Sequence, residues 1–109
     1  MFARASAGFV LFAALTAQVS PAEAPHRLLV VNRGTLPISR LQMGHEVADT
    51  WSGDLLRGSD VIDVGEAKNV TIAPSADCTY DLRATHRDGT NEVLHDVDLC
   101  RSTSVTFEH

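Results

Sequence analysis

A chain of 109 residues, 44% of them hydrophobic, holds one domain at most. Its formal net charge of −5 comes from 14 acidic against 9 basic residues, and the basic ones are dispersed along the chain. Phosphate backbones and anionic membranes are held by clustered cations, so nucleic acid and membrane adhesion are disfavoured.

The first segment has the layout of a secretory signal. Met1-Phe2-Ala3-Arg4 carries one positive charge, and an uninterrupted run of apolar and small residues follows from Ala5 to Ala17. The run ends at Gln18, short of the about 20 apolar residues of a membrane span. Ser20 and Ala22 place small residues before a cut ahead of Glu23, whereas a cut after Ala24 puts Pro25 next to the scissile bond. The expectation is a signal peptide over 1–22 and one small β domain over 23–109, exported to the periplasm or secreted. No cysteine lies just after the apolar run for lipid attachment, Cys78 and Cys100 being far downstream, and no second apolar stretch follows, so no stable membrane anchor is expected after cleavage. Loss of Arg4 leaves the mature chain one unit more acidic, at −6.

Beyond Pro25 the chain is a series of short runs rich in Val, Ile, Leu and Thr, separated by turn residues. This pattern predicts an all-β domain of about seven short strands, a small antiparallel sandwich or partly open barrel. The first is Arg27–Asn32, closed by Asn32-Arg33-Gly34. In Leu36–Met43 the apolar alternation slips by one step between Ile38 and Leu41. Across Glu46–Arg57 a turn or single helical turn is expected, with Asp54 capping Leu55-Leu56. Ser59–Val64, Ala67–Ala73, Tyr80–His86, Asn91–Leu99 and Thr103–Phe107 complete the set.

Asp88-Gly89 between two alternating runs is a strong hairpin signal, because Gly tolerates positive φ and Asp bonds its own backbone. A two-residue loop sets Tyr80 opposite Val97 and Ala84 opposite Val93. A three-residue loop with a bulge sets Cys78 opposite Cys100, and a bulge near Asp98–Cys100 would reconcile the two registers. Either register brings the cysteines together, so an oxidising compartment predicts a Cys78–Cys100 disulfide. Redox catalysts use C-x-x-C, and 21 residues intervene here, so the bridge is read as structural.

Candidate chemistry is sparse. His26, His45, His86, His95 and His109 show no metal-ligand spacing and are read as surface residues; no metal and no cofactor is assigned. Asp49, Asp54, Asp60 and Asp63 are the acids from which an alternative calcium or metal site could be drawn, without the EF-hand spacing. A small hydrolase is the third reading, but no G-x-S-x-G occurs, and Ser59, Ser102 and Ser104 have no evident base. Trp51, the only tryptophan, lies in an expected loop, where it serves either as a binding anchor or as a plug for a small core; the plug is the favoured reading. The leading expectation is a non-catalytic binding domain for an unknown protein or small ligand, with Trp51, Asp54, Leu55 and Leu56 as contacts.

From Asn32 onward the chain resembles a group of small exported proteobacterial proteins of uncharacterised function. The likeness rests on Trp51-Ser52-Gly53-Asp54-Leu55-Leu56, Gly65-Glu66, Cys78-Thr79-Tyr80-Asp81-Leu82-Arg83, Asp88-Gly89 and Val97-Asp98-Leu99-Cys100. The group usually has Trp-Gly where this chain has Trp51-Ser52. The resemblance implies the two-cysteine hairpin and a β-rich fold, and it carries over no catalytic residue.

Overall fold

The computed structural model describes residues 25–57 and 60–109, so the expected signal peptide and Ser59 lie outside the described residues. Seven strands form: β1 His26–Asn32, β2 Ile38–His45, β3 Thr50–Trp51, β4 Ala67–Ile72, β5 Thr79–His86, β6 Asn91–Asp98 and β7 Ser104–Phe107. They make two sheets, of order β4-β1-β7 and β3-β2-β5-β6. The result is an all-β sandwich, not a closed barrel. All pairings are antiparallel except one, since β7 runs parallel to β1.

The core lies between the sheets. Leu28, Val30, Val70, Ile72 and Phe107 from one sheet meet Ile38, Leu41, Leu82 and Ala84 from the other, with Leu56, Ile62 and Leu99 closing in from connections. Burying a side chain of this size stabilises a fold by about 1.5–3 kcal/mol, so a dozen of them hold the sheets together. Asn32 is a fully buried polar residue, and it is fully used. Its Nδ2 donates to the Leu36 and Ile62 carbonyls, each at 2.9 Å, and its Oδ1 accepts from the Gly34 amide at 2.9 Å. The polar residue that ends the first apolar run thus ties together two connections.

Two expected elements change. Ser59–Val64 is no strand among the described residues: Ile62 makes one isolated bridge to Ile38, with reciprocal amide bonds of 2.9 and 3.0 Å. Across Glu46–Arg57 turns form at 46–49 and 55–57, the second with Asp54 capping Leu56 as expected, but between them the chain adds β3, whose Trp51 pairs with Gly44. Gly44 permits this close approach, because a Cβ there would overlap the Thr50 carbonyl. The phase slip in β2 is a bulge: Ile38 opposes His86 and Arg40 opposes Thr85, which leaves Ser39 as the extra residue.

The hairpin forms, but one residue out from the expected turn. His86 and Thr90 close a three-residue loop of Arg87-Asp88-Gly89, with Gly89 at φ 90°. Ala84 therefore opposes Glu92 rather than Val93, while Tyr80 opposes Val97 as expected. The reconciling bulge is not at Asp98–Cys100. It lies opposite Asp81, where Asp96 adopts φ 54°. Asp81 holds it there, accepting the Asp96 amide at 3.0 Å. The disulfide Cys78–Cys100 closes the far end with a Cα separation of 5.1 Å.

Candidate binding site

The sandwich is open at its disulfide end. Ile72 at the end of β4, Met43 on β2, Tyr80 on β5 and Leu99 surround a cleft of about 350 Å³, with Pro25, His26, Pro74 and the Cys78–Cys100 bridge at its sides. The cleft exists because the strand ends diverge there. The Ala73–Cys78 connection must leave one sheet and enter the other, and the disulfide ties its end to the chain after β6. Most of the lining is apolar; exposed Asp77 adds one carboxylate, and the other polar side chains have partners. The His26 ring bonds the Ser102 carbonyl at 2.5 Å, and the Ser75 and Tyr80 hydroxyls are 2.6 Å apart. The outer side of Tyr80 stacks on His45, with ring centroids 5.0 Å apart. A guest here meets hydrocarbon, sulfur and one aromatic ring, with hydroxyls and the Asp77 carboxylate around them.

The residues expected to make contacts are dispersed. Leu56 is buried and offers no binding surface, and Leu55 packs half-buried against the core. Apolar burial between sheets outweighed exposure for Leu56. Asp54 is structural, as its capping role requires: its Oδ1 accepts the amides of Leu41 and Leu56, each at 3.0 Å. Trp51 is not the expected core plug. It is half-buried, outside the core cluster, because its partner Gly44 lies on the outer side of β2. Its ring carries the Arg83 guanidinium, 4.3 Å from the centroid.

The four acids considered for metal do not gather. Asp49 sits in a turn at φ 51°, Asp60 and Asp63 are exposed, and Asp54 caps its loop. Among the described residues one trio of potential ligands converges, Cys78, Asp98 and Cys100, and both sulfurs are already joined to each other. The histidines are not uniformly on the surface either. His86 is buried at the turn end, its Nδ1 3.0 Å from the Pro37 carbonyl, so that this nitrogen carries the proton. His95 lies between two carboxylates, 3.4 Å from Glu46 and 3.6 Å from Asp81.

Asp81 is the most engaged acid, and sequence reasoning misses it because strand alternation reads it as one more solvated residue. Its two oxygens accept the Glu46 amide at 2.8 Å and the Asp96 amide at 3.0 Å. These bonds hold its pKa below the ordinary aspartate value, with smaller help from the nearby His95 and His45 rings. The one available signal is its position opposite a register change. Asp88 is held low as well, first by the Thr90 hydroxyl and then by the Thr90 amide.

No family model and no curated protein matches the chain. The fold is similar to that in the NMR structure of a protein from Eubacterium rectale, with a TM-score of 0.51 and 11% identity over 84% of each chain. That likeness concerns the two-sheet architecture alone.

Proposed function

We propose that this chain is an exported, non-catalytic binding domain that takes the apolar body of a small ligand into the cleft at its disulfide end. The observation that carries this reading is the cleft itself. Its volume of about 350 Å³ falls within the about 300–1,000 Å³ typical of small-ligand sites. Its walls combine His26, Met43, Ile72 and Tyr80 from strands of both sheets with the connection over 73–78, which the Cys78–Cys100 bridge ties in place. The His26, Ser75 and Tyr80 polar atoms are bonded within the protein, which favours an apolar body in the cleft, with the Asp77 carboxylate left at its side. No nucleophile with a bonded base lines it among the described residues. The export half of the reading is supported by the N-terminal charge-and-apolar pattern and by the Cys78–Cys100 bridge, which an oxidising compartment maintains.

A neutral apolar dye, N-phenylnaphthylamine, tests the cleft on protein recovered from a bacterial periplasm. Saturable fluorescence enhancement is expected, and Ala73→Phe, at the mouth, should abolish it while leaving the melting temperature unchanged. Equal dye uptake by both proteins would dismiss the cleft as the site. The same preparation should have an intact mass that begins at Glu23 and is two hydrogens light; a retained N-terminal segment would reject export by cleavage.

A further inference from the structure

We propose that Arg83, held over Trp51 on the outer face of the β3-β2-β5-β6 sheet, is a preformed receptor for a carboxylate group, separate from the cleft. Side chains alternate across β5. Tyr80, Leu82 and Ala84 point into the sandwich, and Asp81, Arg83 and Thr85 point out of it. Arg83 is the one cation of this outward set, and it is fixed on two sides. Its guanidinium stacks on Trp51 at 4.3 Å. Its Nε and Nη2 both donate to Gln42 Oε1, at 3.2 and 2.8 Å.

The support is itself built. Gln42, opposite Arg83 in the ladder, is buried, and its amide nitrogen donates to the Ser52 carbonyl at 2.9 Å. That bond sets the amide so that its oxygen faces the guanidinium. The Ser52 hydroxyl in turn accepts the Met43 amide at 3.1 Å. Together with the Gly44 approach, these contacts pin the short strand that carries the indole.

A brace between β3 and the sheet would account for the stack and for two donated bonds. Among the described residues it leaves unused both N–H groups on Nη1 and one on Nη2. No carboxylate lies within ion-pair distance of Arg83 among the described residues, although the chain has more acids than bases. The unused N–H groups form the end-on fork that matches two coplanar oxygens. A guanidinium already ordered loses little rotamer freedom when such a group docks.

The surroundings select a monoanion. Asp81 lies two residues along the same face, and the whole chain is acidic, so a dianionic phosphate would meet more repulsion than a carboxylate. Half-exposed Trp51 beside the fork would contact a flat or apolar body attached to that carboxylate. Benzoate has this chemistry and serves as the probe.

The test is an NMR titration of the disulfide-bonded protein at constant ionic strength, following the Arg83 Nε–H and Trp51 indole N–H resonances. Benzoate should shift both saturably, and sodium chloride should not. Arg83→Lys, which keeps the charge but not the fork, should weaken benzoate binding about tenfold or more. The Ala73→Phe cleft variant should bind benzoate like the parent, which separates this site from the dye site. Benzoate shifts no larger than those of chloride, or an Arg83→Lys variant that titrates unchanged, would overturn the proposal. Saturation by inorganic phosphate without saturation by benzoate would overturn its carboxylate assignment. Folding of the variant is checked by its unshifted Leu82 and Ala84 amide resonances.

Discussion

The two faces of the four-stranded sheet are built by different rules. On the inner face Leu41, Leu82 and Ala84 are buried without a polar contact, and any apolar side chains of similar volume would serve nearly as well. On the outer face Gln42, Trp51, Asp81 and Arg83 are each held by named partners at specific atoms. Apolar burial is non-directional and sums over area, whereas the outer array depends on which oxygen meets which amide. The inner face therefore secures the fold, and the outer face preserves a particular arrangement of groups.

Substitutions should separate the faces by size and kind of effect. The largest loss is expected from Leu82→Ala at the centre of the inner face, about 3 kcal/mol by denaturant unfolding. Removing the bridge with Cys78→Ser and Cys100→Ser should cost about the same or slightly less, about 3 kcal/mol for a loop of 22 residues, and should raise proteolysis at the cleft end. Gly44→Ala should cost about 2 kcal/mol, because the new methyl must push Thr50 aside. It should also alter Trp51 fluorescence, a change that Leu82→Ala does not require. A loss of stability without a fluorescence change would show that β3 does not depend on that approach.

The smallest effect is a matter of pH. The carboxyl of Asp81 titrates lower in the folded protein than in the unfolded chain, so its bonds to Glu46 and Asp96 stabilise the fold above the ordinary aspartate range. That contribution fades as pH falls through the lowered folded value. Asp81→Asn should therefore flatten the acid limb of the melting-temperature profile below about pH 4. An acid limb identical to the parent's would assign the acid sensitivity to other carboxylates, with Asp88 the next to replace.

Periodicity makes the inner face legible in the residues themselves. Tyr80, Leu82 and Ala84 alternate with polar residues, and that alternation alone selects the side that faces the core. Turn chemistry locates the Asp88-Gly89 hairpin, but not its loop length, because two- and three-residue loops share the same residue preferences. The bulge at Asp96 decides the register, and nothing local to Asp96 marks it. Its anchor, Asp81, is 15 residues away in sequence.

The sequence by itself determined an all-β domain, a hairpin and a cysteine pair at matching distances from its turn, since alternation, turn residues and chain reach are local properties. The tertiary structure decided what long-range partners decide. It turned a supposed loop into β3, and it buried Leu56 while leaving Trp51 outside the core. It also brought Arg83 to the indole across a sheet and left an apolar cleft where the strand ends part. Such contacts depend on which strands become neighbours, and that choice is made by the burial of the whole core at once.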